Sequence, residues 1–256
     1  MKSHIILPDV QAKPGQDFEF LRWAGEYCAD HTPDVIVCIG DFADMQSLSS
    51  YDVGKKEFEG RRYTDDITSS IEAMDKFISP IQEEISRREV NHMKRWRPRL
   101  VLTTGNHEQR INTAISKDRK LEGLISIDDL RYEEFGWEVY PFLEVVTIDG
   151  VCYSHYFTSG IMGRPVSSPR ALVTKKHMSC VMGHVQECGI DMSQFRGDGT
   201  PLIGIFAGIY TPYDETYLNK QTNVQHRQIW HLREVKEGFH YPTAVSLNYL
   251  ERKYGN

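Results

Sequence analysis

Three short apolar runs, at residues 4–7 (HIIL), 34–40 (DVIVCIG) and 99–104 (RLVLTT), each stop within two residues of an Asp or an Asn. They are rich in Ile, Val and Leu and too short for helices, which predicts buried strands of a parallel sheet. Between the first two, residues 15–30 place Phe18, Leu21, Ala24, Tyr27 and Cys28 at helical spacing, with Asp17 available to start the turn. Strand, helix, strand is a βαβ unit with a buried parallel pair. In such sheets the residues just beyond the strand ends gather at one edge, where sites assemble. The positions of Asp9, Asp41 and Asn106 therefore constrain chemistry as well as fold.

Residues 45–63 mix Ser, Gly and charges without a period and predict a long surface excursion. From 64 to about 95 a charged stretch interrupted by Pro80 predicts two helical segments or one kinked helix, so the whole excursion covers about 45–98. Downstream, residues 137–140, 143–148, 151–155, 179–182, 202–209 and 244–250 are expected strands, and 112–124 and 168–177 expected helices. This is an α/β chain with more strands than a simple doubly wound sheet needs. It has no repeat, low-complexity tract or linker, so one domain, 1–256, is expected.

Apolar residues make up 40% of the 256, enough to bury a core. The longest nearly apolar stretch, 201–210, is half of the roughly 20 residues that span a bilayer, so no membrane partner is expected. The apolar run before Pro8 is too short for a signal peptide, and a cytoplasmic address follows as the expectation. Five cysteines without CxxC spacing are expected to be buried free thiols. A net charge of −6 argues against general nucleic-acid affinity and leaves a local patch open. No obligate protein partner is evident.

Five expected strand ends carry oxygen or imidazole ligands. Asp9 and Gln11 sit two apart after the first strand and face the same way if extended. Asp41 opens GDFAD, Asn106 lies in GNHE, His155 ends YSHY, and His184 with Gln186 ends SCVMGHVQ. Taken singly, each has a plain alternative: Asp9 and Asp41 as helix caps, His155 and His184 as core histidines, Asp44 as a turn acid.

The order Asp-x-Gln, Gly-Asp-x-x-Asp, Gly-Asn-His-Glu, His, Gly-His-x-Gln resembles the calcineurin-like metallophosphoesterases, whose first and last motifs are normally Asp-x-His and Gly-His-x-His. The resemblance spans residues 5–186 and is similar to the small, uncapped, often phage-encoded members. It implies a four-layer α/β/β/α sandwich of two mixed sheets flanked by helices. It also implies two divalent ions bridged by Asp41 and a hydroxide. One ion would take Asp41, Asn106, His155 and His184; the other would take Asp9, Asp41 and the positions of Gln11 and Gln186.

Both departures fall on the same ion. Amide oxygens bind divalent ions more weakly than imidazoles and favour hard ones, so Mn²⁺ is the expected metal, with Mg²⁺, Fe or Zn²⁺ as alternatives. A plainer role for Gln11 and Gln186 is to bond a metal-held water or each other. By the same resemblance His107 protonates the leaving alkoxide or stabilises its charge, and Asp44 accepts a hydrogen bond from His107.

Arg110 is a candidate phosphate clamp or a surface ion pair. The basic run Arg87, Arg88, Lys94, Arg95, Arg97 and Arg99, with Trp96 interleaved, could meet a nucleic-acid backbone, or be the charged end of a helix. Tyr210, Tyr213, Tyr217, His226 and Trp230 could line a substrate groove or pack in the core.

Met45 stands where the family's serine/threonine phosphatases carry an arginine that grips a terminal phosphate. The expected activity is therefore hydrolysis of phosphodiesters, with a nucleic acid or nucleotide as the phosphoester substrate. A phosphomonoesterase is the first alternative and a non-catalytic binding scaffold the second.

Overall fold

The computed structural model describes residues 1–50, 54, 56–214 and 225–255. In chain order the elements are β1 (Lys2–Leu7), α1 (Glu19–His31), β2 (Val35–Cys38), α2 (Tyr63–Val90), β3 (Arg99–Thr103), α3 (Gln109–Lys117), β4 (Glu138–Tyr140), β5 (Val146–Ile148) and β6 (Val151–Tyr153). Then follow β7 (Thr158–Ser159), β8 (Arg164–Pro165), α4 (Pro169–Lys176), β9 (Ser179–Met182), β10 (Cys188–Phe195), β11 (Pro201–Ala207), β12 (Gln228–Lys236), β13 (Phe239–Ser246) and α5 (Leu247–Tyr254).

They form two mixed sheets, ordered β13-β12-β1-β2-β3-β4 and β10-β11-β9-β6-β5, with β7 and β8 as a small separate hairpin. Strands β1 to β4 run parallel, and their register is level: Leu7 pairs with Cys38, and Cys38 with Leu102. In the second sheet Tyr153 pairs with Val181 across parallel β6 and β9.

Alternation along the strands explains the layers. Ile6, Val35, Val37 and Val101 point inward against Val151, Tyr153, Val181 and Ile203 of the facing sheet, forming a dry seam. Ile5, Leu7, Ile36 and Leu102 point outward under Leu21 and Ala24 of α1, Phe77 and Ile81 of α2, and Leu250 of α5. Beyond the second sheet, Cys152, Cys180 and Phe206 pack under Leu172 of α4. The result is the expected sandwich of two mixed sheets flanked by helices. Because both faces of β2 are covered, all four of its residues are buried, which is why it is uniformly apolar.

Several local expectations need correction. The stretch around Pro80 is one continuous helix whose proline is buried against α1. Residues 244–250 end a strand and begin α5, started by Ser246, whose Oγ accepts from Tyr249 N. Strands β10 and β12 were not expected.

Trp96 is buried, with its Nε1 donating to Pro33 O at 2.7 Å, so it offers no face to a base. Its basic neighbours are engaged: Arg87 and Arg88 with Glu84, Arg97 with Glu89, and Arg99 with Glu138. Tyr210 and Trp230 are core residues, and Tyr217 lies outside the described residues. Four cysteines are buried, Cys188 is half-buried, and all five are free. Among the described residues no helix is long and apolar enough to cross a membrane.

Candidate metal centre

Level strand ends bring the motif residues to the seam between the sheets. Asp9, Asp41 and Asn106 follow β1, β2 and β3 of one sheet, while His155 and His184 follow β6 and β9 of the other. One ligand atom from each of Asp41, His155 and His184 lies within 4.8 Å of the others. Asn106 joins them: its Oδ1 is 3.0 Å from His155 Nε2 and 2.7 Å from His184 Nδ1. Asp41 Oδ2 is 3.3 Å from His155 Nε2. Asp9 is held alongside, its carboxylate accepting from His184 N at 3.0 Å.

The backbone is bent to make this possible. Gln11, Asp41, His184 and Gln186 all have positive φ, between 50° and 67°. Such backbone costs on the order of 1–3 kcal/mol per residue and clusters where geometry serves a site. Gly105 and Gly183 supply room: a Cβ on the first would strike the Asp41 carboxylate, and one on the second the Asp9 carboxylate. Val10 N and Gln11 N both donate to Asp41 O, binding the first motif to the second.

One residue of the frame was missed in sequence. Glu108 is fully buried, and its carboxylate accepts from Asp41 N (3.0 Å), Ala43 N (2.9 Å), Gly105 N (2.8 Å) and Tyr132 OH (3.3 Å). It fixes the turns that carry Asp41 and Asn106. Its place in GNHE was the available signal.

A second cluster lies beside the first. His107 N donates to Asp41 Oδ1 at 2.9 Å, and His107 Nδ1 is 2.9 Å from Asp44 Oδ1. Arg110 Nη1 donates to Asp44 O at 2.7 Å, and its Nη2 lies 3.2 Å from His107 Nε2. Lys13 Nζ is 3.6 Å from Asp44.

Gln11 is buried beside Asp41, and the half-buried Gln186 accepts from Gln225 Nε2 at 3.4 Å. The structure thus gathers Asp41, Asn106, His155 and His184 into one group, with Asp9 tied to it. Asp44, His107 and Arg110 form a neighbouring group.

No family model matches the chain, and no curated protein matches it. Solved structures do match. One is Yfce, a phosphoesterase from E. coli, at 11% identity and a TM-score of 0.40, over 96% of this chain and 100% of that one.

The electrostatics are those of a place built for positive charge. Burial disfavours the Asp41 carboxylate, yet His107 and His155 outweigh it and hold its pKa below the usual range. Burial likewise opposes the His155 cation, but Asp41 raises its pKa to about 9. Burial pushes the Asp9 carboxyl up, with Asp41 adding to the effect against His155. Burial and the neighbouring His155 take His184 down to about 4. His107 is buried too, but Asp41 and Asp44 raise its pKa above the ordinary histidine value.

His155 Nδ1 faces Ile39 O at 2.9 Å, so its Nε2 is the atom aimed at Asp41 and Asn106. Acceptor oxygens and ring nitrogens converge there at 2.7–3.3 Å. A proton or a divalent cation must lie among such atoms for them to coexist. This donor set fits a metal ion, and the carbonyl behind His155 orients the ring as outer-shell partners do.

Proposed function

We propose that this chain is a metal-dependent phosphoesterase acting on phosphodiesters. The observation that carries the reading is the convergence of Asp41, His155 and His184 with Asn106 between them, at strand ends of both sheets. Asp41, Asn106, His155 and His184 would hold one divalent ion, and Asp9, Gln11, Asp41 and Gln186 a second. When bound, such ions supply Lewis-acid charge that grips phosphoryl oxygens and acidifies a water.

The chain's own groups perform the rest. His107, with Nδ1 against Asp44 and a raised pKa, would protonate the departing alkoxide from Nε2 once the Arg110 Nη2 that stands 3.2 Å from that atom turns to the phosphate. Asp44 sets the ring's tautomer and favours its cation. Arg110 crosses from α3 to the same ring and has guanidinium N–H groups to offer a phosphate oxygen. Glu108 keeps the two turns rigid, so the ligands wait in place.

A monoester substrate is the second reading, favoured by Arg110, which brings a guanidinium to a site where Met45 offers none. The test is metal analysis of the purified protein together with turnover of bis-p-nitrophenyl phosphate and p-nitrophenyl phosphate in Mn²⁺. Faster diester turnover supports the proposal, and faster monoester turnover supports the second reading. Bound metal without turnover of either would mean a binding scaffold.

A further inference from the structure

Against Asn106 lies a cavity of about 450 Å³, whose walls include Ser49, Phe58, Arg110, Ala114 and Lys117. Arg110, Ala114 and Lys117 share one face of α3 by their spacing of four and three residues. Seven residues separate the two cations, which is about 10.5 Å along a helix axis. Phe58 belongs to the same lining, and the Arg61 guanidinium stands 5.7 Å from its ring centroid.

The lining thus combines two basic side chains, one aromatic ring and four hydroxyls. In the basic run Arg87, Arg88, Arg97 and Arg99 are paired with Glu84, Glu89 and Glu138, whereas Lys117 forms no ion pair among the described residues.

We infer that this groove receives the departing part of a single-stranded oligonucleotide, with one base on Phe58 and a further phosphate at Lys117. The inference rests on the phosphoesterase reading and names its substrate. Arg110, which Asp44 holds at the edge of the site, and Lys117 stand two helical turns apart on α3, a spacing that suits successive phosphates of one strand, and a mononucleotide monoester has a single phosphate. A flat ring beside a guanidinium is the platform on which an unstacked base lies, and a duplex keeps its bases stacked away from it. Lys117 is a specificity-determining residue and Phe58 a positioning one for the leaving nucleoside.

Fluorescence anisotropy of a labelled thymidine pentanucleotide, with EDTA present to prevent cleavage, tests the groove directly. Wild-type protein should bind it with strong salt dependence. Lys117→Ala, at an exposed position, should weaken binding and flatten the slope of log affinity against log salt by about 0.7. Phe58→Ala should weaken binding about tenfold at unchanged salt slope. Arg119→Ala removes an exposed cation outside the groove and should change neither.

Absence of oligonucleotide binding would overturn the inference. So would variants that bind as wild type does, or a loss with Arg119→Ala equal to that with Lys117→Ala. Turnover of bis-p-nitrophenyl phosphate without oligonucleotide binding overturns the groove alone. Absence of any phosphoester turnover in Mn²⁺ overturns the phosphoesterase reading and the substrate assignment with it.

Discussion

Glu108 shows how a residue with no surface can govern one that reacts. Two oxygens receive three backbone N–H groups and a phenol. In Glu108→Gln one oxygen becomes an NH2 donor; placed at the Oε1 position it leaves the buried Ala43 N–H facing another donor, while the Tyr132 hydroxyl can turn to accept. The variant should lose about 3 kcal/mol of stability, read by urea unfolding, and Mn²⁺ affinity should fall about 10- to 100-fold, read by calorimetry. His107→Ala should do the opposite, keeping the Mn²⁺ stoichiometry while kcat on a diester drops on the order of 10²- to 10⁴-fold. If Gln11 and Gln186 serve one ion, Gln11→His and Gln186→His together should tighten the weaker of two Mn²⁺ sites in a titration. The effects of the single changes should not add. At this scale Asp9, Asp41, Asn106, His155 and His184 were legible because each follows an apolar run that had to be a strand. Glu108 was not, because three of its four partners are backbone N–H groups, which residue types do not announce, and its place in GNHE was the one signal to read.

Among the elements, α1 and α2 meet closely at Gly25, where a Cβ would run into Phe77 O and press on Pro80. Gly25→Ala should therefore spread the two helices despite its higher helix propensity. The expected cost is about 1–3 kcal/mol, measured as a lower urea midpoint at unchanged m-value. Pro80 suggested a break in sequence, yet the surrounding apolar face, with Phe77, Ile78 and Ile81 buried, holds the helix through it. The parallel strands were readable because both their faces are covered. Strand β10 was not, since it lies at a sheet edge and alternates Asp, Ser and Gln with apolar residues. The last helix was mistaken for strand because its Leu and Tyr suit either state, although Ser246 ahead of it was a usable cap signal.

For the molecule as a whole, the site makes stability depend on pH and metal together. His155 has its pKa raised to about 9 from 6.5, so its contribution is complete below pH 6.5 and is lost as pH rises through 9. The raised Asp9 carboxyl acts in the same direction. His184, lowered to about 4, acts in another window, weakening the fold only as pH falls from 6.5 towards 4. Metal-free protein should accordingly melt at lower temperature at pH 9 than at pH 6.5. Saturating Mn²⁺ should remove that decline, since a cation replaces the displaced protons, and both are checked by thermal scans with and without EDTA. The ligands also come from both sheets, at the seam where these pack. A bound ion would then act as a rivet through the sandwich, and slow amide hydrogen exchange in β6 and β9 should slow further on loading, because the sheets can no longer part without giving up the ion.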